Sequence, residues 1–198
     1  MSNNREYRTM ELRFMPSEEP TYKVEGYAST FETYELMRID DIGYNERIER
    51  TAFDDADLSD VVFRVDHVGP VYARTSAGTV ELNIDDHGLH NVTDLSRTGR
   101  SRELYEDIAA GNYPQMSFAF TVAEDHYDSE THTRIIDRIA KVFDISAVSF
   151  PANPTTELSV STRSYFDGVI EAERAERLAK EKRTEHINRI LSLIEQEV

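Results

Sequence analysis

The sequence predicts a mainly β protein with flanking helices, followed by a helical C-terminal segment. Three observations carry that prediction. Side chains alternate in period two through several short stretches, most clearly from Met116 to Val122, as half-buried strands require. Turn-forming clusters such as Gly69–Pro70, Ser76–Gly78 and Asp85–Gly88 separate these stretches. From about Tyr165 the period becomes helical: Ile170, Leu178, Ile187, Ile190, Leu191 and Ile194 recur as a stripe among Glu, Arg and Lys. The change divides the chain into a β domain, residues 1–160, and a helical extension, residues 161–198.

Along the chain, Glu11–Phe14 and Tyr22–Ala28 alternate as strands, with Gly26 at a bend or close backbone approach. Residues 36–54 mix polar and apolar positions and predict a loop with a short irregular element, ending at Ala52 and Phe53. Val61–Val65 is a compact strand; His67 follows it beside Asp66, and Gly69–Pro70 turns the chain. Val71–Arg74 and Val80–Ile84, joined around Ser76–Gly78, predict a hairpin, and Leu89–Leu95 alternates as a further strand. A helix is expected over Ser101–Ala110, because Leu104, Tyr105 and Ile108 share a face and Gly111 stops it.

After Pro114, Met116, Phe118, Phe120 and Val122 alternate with Ser117, Ala119 and Thr121, which puts Ser117 on the small-residue face of a strand. Asp125–His132 is polar and reads as a hairpin loop. Thr133–Phe150 predicts two strands interrupted near Lys141 and ended by Pro151 and Pro154, which cannot both sit inside a central strand.

Bulk composition narrows the function. A chain of 198 residues can build one medium domain with a real core plus an appendage. Its 10 Tyr and 9 Phe argue against disorder throughout. With 22 Lys and Arg against 38 Asp and Glu, the formal charge of -16 repels phosphate backbones, so no nucleic-acid partner is expected. The absence of cysteine removes disulfides, thiolate nucleophiles and Cys-ligated metals. No apolar run approaches the ~20 residues of a membrane span, and the start lacks the apolar stretch of a secretory signal. A cytoplasmic protein with no membrane partner is expected.

A hydroxyl nucleophile needs a base within hydrogen-bond reach, and the base needs an orienting group. Ser117 stands out within Met-Ser-Phe-Ala-Phe, although the same pattern suits a small core hydroxyl bonded to backbone. Of six histidines, His67 lies at a strand end, where a side chain can face a cleft. His87 and His90 with Asp85 or Asp86 match no zinc or calcium spacing and read as surface turn residues, so neither metal nor cofactor is expected. Asp144 sits in an apolar strand, where a buried carboxylate is costly unless paired. Strand parity puts it on one side with Ser146; it could orient an imidazole or bond backbone amides at a sheet rim. No phosphate cradle, HExxH or G-x-S-x-G occurs, which removes the commonest nucleotide-binding, metalloprotease and lipase readings.

In order and spacing, several segments resemble the prohead or head-maturation proteases of tailed phages. They are Gly26–Ala28, Glu46–Phe53, Val65–Val68, Asp86–Leu89, Ile108–Gly111, Pro114–Phe120 and Phe143–Pro154, together spanning about residues 22–160. The resemblance implies a herpesvirus-protease-like antiparallel β-barrel surrounded by helices. It puts His67 at the place of the catalytic histidine and Ser117 at that of the nucleophile. Asp144 stands where the family usually has glutamate, in Asp-Ile-Ser rather than Glu-Val-Ser, and Asp66 is its competitor as orienting acid.

The reaction implied is acyl transfer, with backbone amides facing the oxyanion and Arg134 and Arg138 as candidate contributors. The implied substrates are scaffolding protein or the scaffolding domain of the capsid protein, and the chain's own ends. Major capsid protein and scaffold are then its partners, inside the assembling procapsid in the host bacterial cytoplasm. The C-terminal helix is a candidate for homo-oligomer contact, encapsidation or temporary inhibition. The competing readings are a non-catalytic capsid assembly protein that retains the fold and an unrelated acidic β-domain binding module. Spatial separation of Ser117 and His67 would favour the second.

Overall fold

A computed structural model describes residues 5–11, 21–149 and 160–196. The strands are β1 (Glu6–Glu11), β2 (Lys23–Thr30), β3 (Tyr34–Ile39), β4 (Ile42–Ile48), β5 (Val62–Val65), β6 (Val68–Arg74), β7 (Val80–Ile84), β8 (Gly88–Asp94), β9 (Gln115–Asp128) and β10 (Thr133–Val148). Helix α1 is Gly99–Ala109 and α2 is Val160–Gln196. The chain divides into two compact units, Met1–Ser159 and Val160–Val198.

The first unit is built on two sheets. One runs β1-β9-β10-β4-β3, with β5 also paired to β10 and β6 to β5; the other runs β2-β8-β7. The expected barrel of mostly antiparallel strands is corrected to a mixed β core, and among the described residues neither sheet closes. The reason lies in β10. It spans 16 residues and shares one edge between two parallel partners, β4 along Thr133–Ile136 and β5 along Asp144–Ala147. The break expected near Lys141 is instead a series of register shifts between Ile136 and Asp144, which bend a continuous strand.

Three further segments depart from expectation. Residues 36–54 hold a hairpin, β3–β4, closed by Asp40 and Asp41 at φ 50 and 63, the geometry of a two-residue type I′ turn. Glu46 hid it: on β4 the inward row is Tyr44, Glu46 and Ile48, and a charge in the middle breaks the apolar alternation. The β6 strand pairs with β5 and not with β7, which pairs with β8. Gly69 and Pro70 therefore lie inside β6, and the chain reverses three residues earlier, at Asp66 and His67. Strand β9 continues to Asp128 and pairs there with Thr133–Ile136 of β10, so half of the predicted loop is strand. The strand expected at Glu11–Phe14 falls mostly outside the described residues, as do Pro151 and Pro154; the first described strand is β1.

The core joins both sheets and α1 through Val24, Phe53, Phe63, Leu89, Leu104, Phe118, Phe120 and Ile139. Helix α1 starts where Thr98 accepts a hydrogen bond from the Ser101 backbone N–H, the N-cap arrangement. The close approach of β2 and β8 requires Gly88, because a Cβ there would meet the Ser29 carbonyl oxygen at 1.9 Å.

Glu46 is satisfied by a buried ionic cluster. Arg8 donates to both of its carboxylate oxygens, Tyr34 donates at 2.5 Å, and Arg134 at 3.2 Å. Arg134 also donates to both oxygens of Glu6, at 2.7 and 3.0 Å, and to Asp125 at 2.5 Å. Burial alone would raise the pKa of Glu6, but the Arg8 and Arg134 guanidiniums outweigh it and lower it to about 2. The folded-state value lies below the unfolded one, so this stabilisation is complete above pH ~4.5 and fades as pH falls towards 2. It is worth about 3 kcal/mol. In acid titrations followed by circular dichroism, Glu6→Gln is expected to flatten the loss of stability between pH 4.5 and 2.

In the second unit, α2 is one uninterrupted helix of 37 residues. At about 100° per residue, Leu178 falls roughly half a turn from Ile187, whereas Ile187 and Ile190 share a face. The predicted single stripe is thus two separate patches, and all three of these side chains are exposed.

Candidate active site

Two neighbouring strands and one turn bring the site together. In the sheet register Ser117 of β9 lies directly opposite Ser146 of β10, and Ala119 opposite Asp144. Directly paired residues point to the same face of a sheet, so Ser117, Asp144 and Ser146 share one side while Phe118 and Phe120 fill the core on the other. Strand β5 runs parallel to β10 and delivers its C-terminal end beside Ala147. The chain then reverses through Asp66 and His67, both in the left-handed region at φ 46 and 58.

That turn is strained for two non-glycine residues, and four contacts hold it. The Asp66 N–H donates to the Ala147 carbonyl at 3.0 Å. The His67 N–H donates to Ser146 Oγ at 3.2 Å. Arg64 Nη1 donates to the His67 carbonyl at 3.2 Å. The Asp66 carboxylate accepts from the Ser149 N–H at 3.0 Å and from its hydroxyl.

The imidazole of His67 bridges the two other groups. Nδ1 lies 2.6 Å from Asp144 Oδ1 and Nε2 lies 2.7 Å from Ser117 Oγ. Asp144 is an acceptor when ionised, so Nδ1 carries the proton and Nε2 offers its lone pair to the serine hydroxyl. Ser117 and Asp144 are buried, at 1% and 2% exposure, whereas the His67 side chain keeps 17% and reaches solvent. Asp144 Oδ1 also accepts from Ser146 Oγ at 2.8 Å. Tyr7 packs edge-on against the imidazole, with ring centroids 4.5 Å apart. A base held by a buried acid and poised on a hydroxyl is an arrangement for nucleophilic acyl transfer.

The structure therefore brings together His67, Ser117 and Asp144, and turns Asp66 away to Ser149. Arg134 and Arg138 are not at this site. Arg134 is engaged in the ionic cluster on the Phe118 face, and Arg138 pairs with Glu124 at the surface. Asp85 closes the β7–β8 turn through the His87 and Gly88 N–H groups, and His87 and His90 pack on Tyr27. Among the described residues, no three His, Cys, Asp or Glu side chains gather in a way that could hold a metal ion. Sequence reasoning missed Tyr7, Arg64 and the contacts of Ser146. Parity had aligned Ser146 with Asp144, but no sequence pattern reports a contact across 79 residues.

The family model described as caudovirus prohead serine protease matches residues 7–168. No curated protein and no solved structure matches.

Proposed function

The chain belongs to the caudovirus prohead serine protease family, and from that premise we propose that Ser117, His67 and Asp144 are its nucleophile, general base and orienting acid. A serine-protease activity of the maturation kind follows from the family itself. The supporting observation for the residue roles is the position of His67, within hydrogen-bond distance of both partners.

In the reaction, Ser117 Oγ attacks the carbonyl carbon of a peptide bond as its proton passes to His67 Nε2. The imidazolium so formed is stabilised by Asp144, whose carboxylate stays ionised. Collapse of the tetrahedral adduct breaks the C–N bond, and His67 returns the proton to the leaving amine. Water then attacks the acyl carbon as it gives a proton to Nε2; the Oγ–C bond breaks, His67 returns that proton to Ser117 Oγ, and the product acid leaves and ionises to a carboxylate.

Capsid-related proteins are the expected field of action. The substrates we propose are scaffolding protein or the scaffolding domain of the capsid protein, together with the chain's own ends, within the procapsid in the host bacterial cytoplasm. Confinement there raises local concentration, so a tight sequence preference is not required. Among the described residues no helix is long and apolar enough to cross a membrane. The exposed Leu178 and the Ile187–Ile190 patch of α2 offer candidate surfaces for homo-oligomer contact.

Intact-mass spectrometry of the protein incubated with its capsid and scaffold precursors, beside Ser117→Ala, tests the reading. Fragments are expected with the wild type alone. Equal fragments from both would remove Ser117 as nucleophile, and none from either after confirmed co-assembly would favour a non-catalytic assembly role.

A further inference from the structure

Ser146 is a fully buried residue inside β10, yet its hydroxyl leaves the strand and reaches the β5–β6 turn. It donates to Asp144 Oδ1 at 2.8 Å, accepts the His67 backbone N–H at 3.2 Å, and lies 3.3 Å from His67 Nδ1. A hydroxyl has one proton and two lone pairs. Its proton goes to Asp144, because an ionised carboxylate can only accept, and a lone pair serves the His67 N–H. The Nδ1 proton goes to Asp144 at 2.6 Å, so Oδ1 receives two donors that approach from different directions.

We propose that Ser146 is a positioning residue that fixes the carboxylate of Asp144 and the strained backbone of His67 as one unit. This rests on the triad reading above. Each of the two groups needs such a restraint: a carboxylate can rotate about χ2, and a left-handed histidine, although Arg64 and Ser149 also brace its turn, has a local incentive to relax. The same hydroxyl restrains both, and it does so directly across the sheet from Ser117. Loss of the hydroxyl lets Nε2 drift from Ser117 Oγ. A misplacement of about 1 Å in such a site costs about 10²-fold in rate. Substrate affinity is untouched, because Ser146 is buried beneath the imidazole and offers no surface to a peptide.

The test uses the full chain and an alkyl fluorophosphonate, which phosphonylates an activated serine. The Ser Oγ–P bond forms, the P–F bond breaks, fluoride leaves, and the serine proton passes to His67. The wild type is expected to be labelled at Ser117, read by peptide mass. Ser146→Ala is expected to be labelled about 10- to 100-fold more slowly, and Ser146→Thr, which restores a hydroxyl, to recover most of the rate. The low-field proton resonance of His67 Nδ1–H should be present in the wild type and in Ser146→Thr, and broadened or lost in Ser146→Ala.

Labelling of Ser146→Ala at the wild-type rate would overturn the inference while leaving the triad reading intact. Equal losses in the Ala and Thr variants would also overturn it, since packing and not the hydroxyl would then be responsible. No labelling of Ser117 in the folded wild type would remove the triad reading itself. If Ser146→Ala does not fold, Ser146→Cys replaces it, with similar volume and a much weaker donor.

Discussion

Asp144→Asn is expected to lower the rate of scaffold cleavage about 10⁴-fold while the protein stays folded. Asparagine has nearly the same shape, so the packing around Ser146 and His67 survives. The change is electronic: an amide can present a donor to Nδ1, which moves the imidazole proton to Nε2. That nitrogen then faces the Ser117 hydroxyl as a donor and cannot accept its proton. The negative charge that stabilises the imidazolium also disappears.

Asp66→Asn is the matched control. Its carboxylate bonds Ser149 and not the imidazole, so a loss of less than about tenfold is expected, through a looser turn. Initial rates on purified scaffold, with Ser117→Ala as the baseline, decide between the two acids. A loss below tenfold for Asp144→Asn, or a larger one for Asp66→Asn, would transfer the orienting role.

Glu46→Ala is expected to destabilise the first unit by about 3–5 kcal/mol, because it breaks a buried ion pair on one side only. Arg8 loses both Glu46 oxygens while keeping Glu6 and the Tyr7 carbonyl, and Arg134 loses one of its acceptors. Tyr34 loses the acceptor for its hydroxyl as well. A deleted carboxylate thus leaves cations and a phenol in a space sealed from water, where each missing partner is felt in full. Thermal unfolding should show a midpoint lower by roughly 6–20 °C.

The cluster lies on the opposite face of the β1–β9 pair from Ser117, so activity well below that midpoint should change little. A shift equivalent to less than about 1 kcal/mol would mean that water reaches the cluster and solvates what is left.

Period and turn chemistry determined much of this protein before any tertiary contact is considered. Alternation around Ser117 specified a buried strand with the serine on its small-residue face, because a pleated strand turns successive side chains to opposite sides. The Leu104–Tyr105–Ile108 face and Gly111 specified α1 for equally local reasons. The resemblance over the histidine, serine and Asp-Ile-Ser segments named the three residues that the fold brings within hydrogen-bond distance.

Local pattern failed wherever the deciding partner was remote. The β3–β4 hairpin was hidden because Glu46 occupies an inward position that Arg8 and Arg134, from β1 and β10, make tolerable together with Tyr34. The turn was misplaced to Gly69–Pro70 because Asp66 and His67 lack the glycine that usually marks positive φ; they hold it through contacts to Ser146 and Ala147 on β10 and to Ser149 just beyond it. The barrel gave way to a mixed sheet because β10 takes two successive parallel partners, a pairing with no signature in its own residues. The sequence ranked Asp144 above Asp66 as the acid beside His67 through the family motif and because adjacent strand residues point opposite ways. Only the tertiary structure supplies the contacts: a left-handed turn points Asp66 to Ser149 and sets the imidazole over β10, where Asp144 and Ser146 are already aligned by the pleat.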